Sequence, residues 1–158
     1  MKFVLSSNEK KLVAACKEQA KQKLLQYGIE DSFFLKVKQP KNSNWVAIYR
    51  NYSQFNNGGR GPIFWISSEL LNNPDEIVIS ILHEYGHVIA EYAYVTDSKI
   101  DSLLKKHWEG RYYNRHWDEE EFAEEFAQFV FGRYSYYAGE IKEVIETYVS
   151  ECLSAIER

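Results

Sequence analysis

Apolar positions along the chain change period several times, and each change marks an element. Leu12, Cys16, Ala20, Leu24 and Leu25 recur at helical intervals among lysines between Ser7 and Tyr27, which predicts an amphipathic helix stopped by Gly28. Phe33 to Lys38 alternates loosely ahead of Pro40, and Trp45 to Tyr49 is a second short run. Ile63 to Ile66 is a third, apolar on both faces; all three predict strands. Asn51 to Pro62 is polar, contains Gly58, Gly59 and Gly61, and predicts a loop.

The pattern then turns helical for most of the remaining length. Asn73 followed by Pro74 predicts a helix start, with a capping side chain and proline at the first helical position. That helix is expected from about Pro74 to Tyr94, and its stretch from Ile77 to Ala90 is apolar enough to be buried. Ser98 to His107 predicts a short helix and Glu109 to Trp117 a loop. Asp118 with Glu121 three residues later predicts a capping box opening another helix, whose apolar stripe is Phe122, Phe126, Phe129 and Val130. A last helix, about Gly139 to Ile156, is expected to pack through Ile141, Val144, Ile145, Tyr148, Val149 and Leu153. The order predicts an α+β fold, a compact single domain over residues 1–158. Its sheet is expected to be small, of about three strands and mostly antiparallel, beside a central helix and further helices.

Composition narrows the function. The chain has 158 residues, enough for one sizeable core, and 45% of them are apolar, which excludes a disordered tail. A net charge of −4 without a basic stripe argues against nucleic acid as a partner. No run is long and apolar enough to span a membrane, and Met1 to Leu5 is too short for a signal peptide. Cytoplasmic location is the default expectation, with export by another route or a longer precursor left open. Cys16 and Cys152 lack metal-site spacing, and two separate thiols are expected rather than a bridge.

The buried helix carries the chemistry. His83-Glu84-Tyr85-Gly86-His87 spells H-E-x-x-H, and four residues are about one helical turn, so both imidazoles project from one face. Two neutral nitrogens there can hold one divalent cation, with Glu84 placed to take a proton from water. Unpaired, these polar groups would cost several kcal/mol in an apolar helix. A catalytic zinc site needs a third protein ligand and one open position. A histidine six residues after His87 is excluded, because that position is Ala93. The acidic stretch from Glu119 to Glu125 is the alternative source. A capping box would draw Glu121 toward the helix start, whereas Glu120 and Glu124 share a face with the small residues Ala123 and Ala127. Glu120 is therefore the expected third ligand, and Glu121, spaced in the same way from Glu125, the fallback. Glu124 is expected to accept from the free nitrogen of a ligating histidine. Gly86 is expected to let helices pack closely beside the metal.

These residues resemble the gluzincin peptidases, in which H-E-x-x-H is followed by E-x-x-x-D/E on a later helix. The likeness is closest to the lethal-factor and Pro-Pro endopeptidase group, through Glu120-Glu121-Phe122-Ala123-Glu124-Glu125-Phe126 and through Tyr113-Asn114-Arg115 upstream. It covers roughly Ile63 to Phe131. The same helix also resembles small intracellular proteases that cleave repressors, through Glu120, Ala123, Phe126 and Ala127. The resemblance implies a zincin-like fold with His83, His87 and Glu120 as zinc ligands and Glu84 as general base. It also implies that Tyr113, seven residues before Glu120, donates to the oxyanion; Tyr112 competes for that role, and His116 is a further neighbour.

The expected function is a zinc-dependent endopeptidase with one catalytic Zn2+, a narrow protein or peptide substrate and a monomeric state. Substrate backbone is expected along the edge of Ile63 to Ser67, with Asn51 to Gly61 as a flap. The alternatives are a catalytically idle zinc-binding interaction module, for example a repressor antagonist, and a metal-free structural domain.

Overall fold

The structure, a computed structural model, describes residues 3–30, 33–39, 47–50, 62–108 and 115–157; for 47–50, 106–108, 115–118 and 154–157 only the backbone is described. Helix α1, Ser7–Leu25, starts in a capping box: Glu9 N–H donates to Ser6 Oγ (3.1 Å) and Ser6 N–H to Glu9 Oε1 (2.8 Å). It buries Cys16, Ala20 and Leu24. Gly28 follows with φ +84°, the left-handed turn that ends the helix.

Three strands follow: β1 (Phe34–Lys38), β2 (Ala47–Arg50) and β3 (Ile63–Ser67). The fold is α+β, as the sequence predicts, but the sheet differs from the expected one. Its order is β1-β3-β2, with β1 parallel to β3 and β2 antiparallel to it. The sheet is thus evenly mixed rather than mostly antiparallel, because the third strand in sequence inserts between the first two. Strand composition sets which segments pair, not their spatial order. Being central, β3 has a strand on each side and offers no edge, so the expectation of substrate pairing along Ile63 to Ser67 is overturned. Its two-sided apolar character has a simpler cause. Phe64 and Ile66 are fully buried, while Trp65 on the other face lies under the Lys36 and Lys38 ammonium groups, 5.3 and 5.8 Å from its ring centre.

After a 3-10 turn, Ser68–Asn72, helix α2 spans Pro74–Val95. Asn73 is its N-cap residue, yet its side chain makes no capping hydrogen bond, so Pro74 and the acidic Asp75 and Glu76 mark this start instead. Ile77, Val78, Ile81, Leu82, Tyr85, Val88 and Ile89 are all fully buried, so α2 is the axis of the core. Helix α3 is Lys99–Trp108 and α5 is Ala138–Glu157. Ile141, Val144, Ile145 and Tyr148 of α5 are buried, but Leu153 is 55% exposed, beyond the reach of the core. Polar contacts hold α5 to α2 and α3: the hydroxyls of Tyr85 and Tyr148 meet at 3.2 Å, and Tyr92 and Ser98 both donate to Glu151 Oε2. Cys16 and Cys152 are thiols and not a disulfide. No helix among the described residues is long and apolar enough to cross a membrane.

Helix α4, Arg115–Phe131, begins three residues before the expected cap. Asp118 is inside the helix, so the capping box with Glu121 does not exist, and residues 115–117 are helical rather than loop. Phe122, Ala123, Phe126 and Ala127 of α4 are fully buried, and Ala123 lies against Gly86. A Cβ added at Gly86 would meet Ala123 Cα at 2.8 Å and Ala123 Cβ at 3.2 Å. The neighbour is backbone, so no side-chain rotation relieves the clash. Gly86→Ala should destabilise the protein by about 1–3 kcal/mol through overpacking. Gly139→Ala, with nothing within 4 Å, should be neutral or stabilising by under about 1 kcal/mol. Denaturant unfolding of both variants checks this; equal midpoints would show that α2 and α4 are not so closely apposed.

Candidate metal centre

Helix α2 presents His83, Glu84 and His87, and α4 presents Glu119, Glu120 and Glu124. His87 meets Glu119, His83 meets Glu124, and Gly86 meets Ala123. Numbers rise along α2 as they fall along α4, so the helices run in opposite directions where they touch.

At the middle of this ladder three donor atoms converge. His83 Nε2 and His87 Nε2 lie 3.3 Å apart. Glu120 Oε2 is 3.3 Å from His83 Nε2, and Glu120 Oε1 is 2.9 Å from His87 Nε2. Two ligands about 2.0–2.1 Å from one ion at tetrahedral angles stand roughly 3.3 Å apart, which these separations match. His83, His87 and Glu120 therefore lie close enough together to bind a metal ion. Glu120, not Glu121, belongs to this group.

The far nitrogens are also occupied. His83 Nδ1 is 3.0 Å from Glu124 Oε2, and His87 Nδ1 is 3.0 Å from Glu119 Oε1. An ionised carboxylate only accepts, so each Nδ1 donates and each Nε2 is left with a lone pair facing its neighbours. One divalent ion would accept all three converging lone pairs. With protons alone, at least one of these three groups must take up an extra proton to supply a donor. Two imidazoles and a carboxylate are a donor set that zinc accepts. His87 is 11% exposed and Glu120 38%, so the centre is walled on the α2 side and open on the α4 side.

Glu84 is 4% exposed, the only glutamate buried to that degree among the described residues. Burial pushes its carboxyl above the usual range; His87 and His83 pull it down, and Glu120 and Glu119 push it up again. His87 is raised as well: burial opposes its charge, but the Glu119 hydrogen bond and the charges of Glu84, Glu120 and Glu119 outweigh it. Glu124 is lowered, first by its hydrogen bond with His83, against burial, and with help from Gln128.

Tyr113, Tyr112 and the Asn51 to Gly61 segment lie outside the described residues, as do the side chains of His107 and His116. Tyr113 stands two residues before the first residue of α4. Glu119 was not singled out by sequence reasoning, because it reads as one more acid in the run from Asp118 to Glu121. The signal that identifies it is antiparallel pairing: if Glu124 reaches the first histidine, a residue about one turn earlier must reach the second.

No family model matches the chain, and no curated protein or solved structure matches it either.

These shifts fix how the metal-free protein responds to pH. His87 holds its proton more tightly folded than unfolded, so its contribution is full below the ordinary imidazole value and is lost as pH rises through its raised value. Glu84 has the same sign, beginning at the ordinary carboxylate range. Glu124 has the opposite sign: its contribution is present above that range and lost as pH falls through its lowered value. The melting midpoint without metal should therefore fall as pH rises from about 5 to about 8. Zinc should offset that fall, since it needs the ligands deprotonated. A metal-free midpoint that rises over this range would contradict the site.

Proposed function

We propose that the protein is a zinc-dependent endopeptidase of the gluzincin type, acting on a narrow protein or peptide substrate. The observation that carries this reading is the convergence of His83 Nε2, His87 Nε2 and Glu120 beside a buried glutamate on the same helix. Zinc, when bound, supplies a Lewis acid that lowers the pKa of water toward about 7 and polarises a peptide carbonyl.

The remaining work belongs to the chain. His83, His87 and Glu120 are the ligands. Glu84 takes the proton of the attacking water and returns it to the leaving nitrogen, so that one water is consumed for each bond cut. A carboxyl held above its usual range suits that exchange, because it binds a proton well enough to carry it between the two steps. Glu124 orients His83. Tyr113, just ahead of α4, donates to the oxyanion in the role that the resemblance to gluzincins assigns it, a contribution of about 2–4 kcal/mol. An extended substrate that adds to the sheet has β1 or β2 to pair with, the two strands bonded on one side only among the described residues.

The test is digestion of a proteome-derived peptide library, read by mass spectrometry, with intact protein and with Glu84→Gln. Cuts should appear with the intact chain and fall by roughly 10²–10⁴-fold in rate in the variant. Prolines flanking the cuts would favour the Pro-Pro endopeptidase likeness. The same peptides from both samples would remove the peptidase reading and leave a zinc-binding interaction module.

A further inference from the structure

We propose that Glu119 is a positioning residue of the metal centre, holding His87 in the tautomer whose Nε2 lone pair faces His83 and Glu120. This rests on the zinc reading above and adds to it a residue and a division of labour along α4.

Glu119 Oε1 is 3.0 Å from His87 Nδ1, on the side of the ring opposite the converging donors. Neutral imidazole carries one proton, and an acceptor at Nδ1 keeps it there, which leaves Nε2 bare. Glu119 and Glu120 are neighbours in sequence, about 100° apart around the helix. From adjacent positions they reach opposite nitrogens of one ring: Glu120 Oε1 is 2.9 Å from Nε2. The imidazole is thus gripped on both sides by one turn of α4.

The two orienting carboxylates are not equivalent. Glu124 is 54% exposed and shares its other oxygen with Gln128, and its histidine is 19% exposed. Glu119 is 32% exposed, and His87 only 11%. If Glu124 is removed, water has ready access to His83 Nδ1. If Glu119 is removed, a more deeply buried N–H loses its acceptor, the costlier loss. The inner histidine should therefore depend on its carboxylate more than the outer one does.

The experiment uses the full chain, metal-free, as intact protein, Glu119→Gln, Glu119→Ala and Glu124→Ala. Zinc affinity is read by competition with a chromophoric chelator, the cobalt(II) absorption spectrum reports ligand arrangement, and unfolding midpoints are taken with and without zinc. Glu119→Ala should weaken zinc binding by roughly 10–100-fold, more than Glu124→Ala, and alter the cobalt spectrum. Glu119→Gln, whose amide oxygen still accepts, should recover part of the affinity. A purely structural Glu119 would lower the midpoint equally with and without zinc and leave the affinity unchanged, which would overturn the proposal, as would a Glu124→Ala loss equal to or above that of Glu119→Ala. Failure of the intact protein to bind zinc would instead overturn the metal reading itself, and Glu119's role with it.

Discussion

The contact between Gly86 and Ala123 is the constraint on which the rest of this molecule depends. With no side chain at one position and a methyl at the other, α2 and α4 approach until a single added carbon at Gly86 would stand 2.8 Å from the Ala123 α-carbon. Glutamate side chains are short relative to helix spacing. Only at this approach do Glu119, Glu120 and Glu124 all reach the imidazoles of His83 and His87, at 2.9 to 3.3 Å. Phe122 and Phe126, fully buried on the neighbouring face of α4, lock the approach from below, and the Phe126 ring stacks near Tyr85 of the H-E-x-x-H segment. Packing therefore precedes chemistry: the apolar residues of α4 decide where its acids point.

Against that gain stands an electrostatic cost. Three carboxylates of α4 gather around Glu84 and two imidazoles on α2, a helix whose other residues are among the most deeply buried in the protein. Burial raises Glu84, the two histidines pull it down and the neighbouring acids push it up again; on His87 burial works against charge and the same acids outweigh it. A divalent ion would resolve the conflict directly, by taking up the lone pairs of both rings and offsetting the negative charge around them. The same ion would tie α2 to α4 at the middle of their interface, so binding and folding are linked there.

Much of this was legible in the chain. The H-E-x-x-H spacing places two histidines on one helical face by period alone, and the lengths of the apolar runs separate strands from helices. Of the two features that favour Glu120 in the sequence, one is absent from the structure and one is present. The capping box expected to divert Glu121 is absent, since α4 starts at Arg115 and Asp118 is inside it; it is the small-residue face, with Ala123 against Gly86, that brings Glu120 to the histidines. What was not legible is long-range. Nothing local orders three short strands, so the insertion of β3 between β1 and β2 could not be read from alternation. Glu119 was invisible for a related reason: an acid near a helix start has a local explanation in the helix dipole, and only the antiparallel pairing with α2 reveals its partner. Leu153 shows the same limit in reverse, an apolar residue at core spacing in a turn of α5 that the core does not reach.

Zinc-edge X-ray absorption on the protein loaded with one equivalent of zinc tests this ligand set most directly. An ion held by His83, His87 and Glu120 should show two imidazole ligands and at least one oxygen at about 2.0–2.1 Å, and no sulfur. A sulfur shell at about 2.3 Å, which would implicate Cys16 or Cys152, or an ion with no imidazole bound, would contradict it.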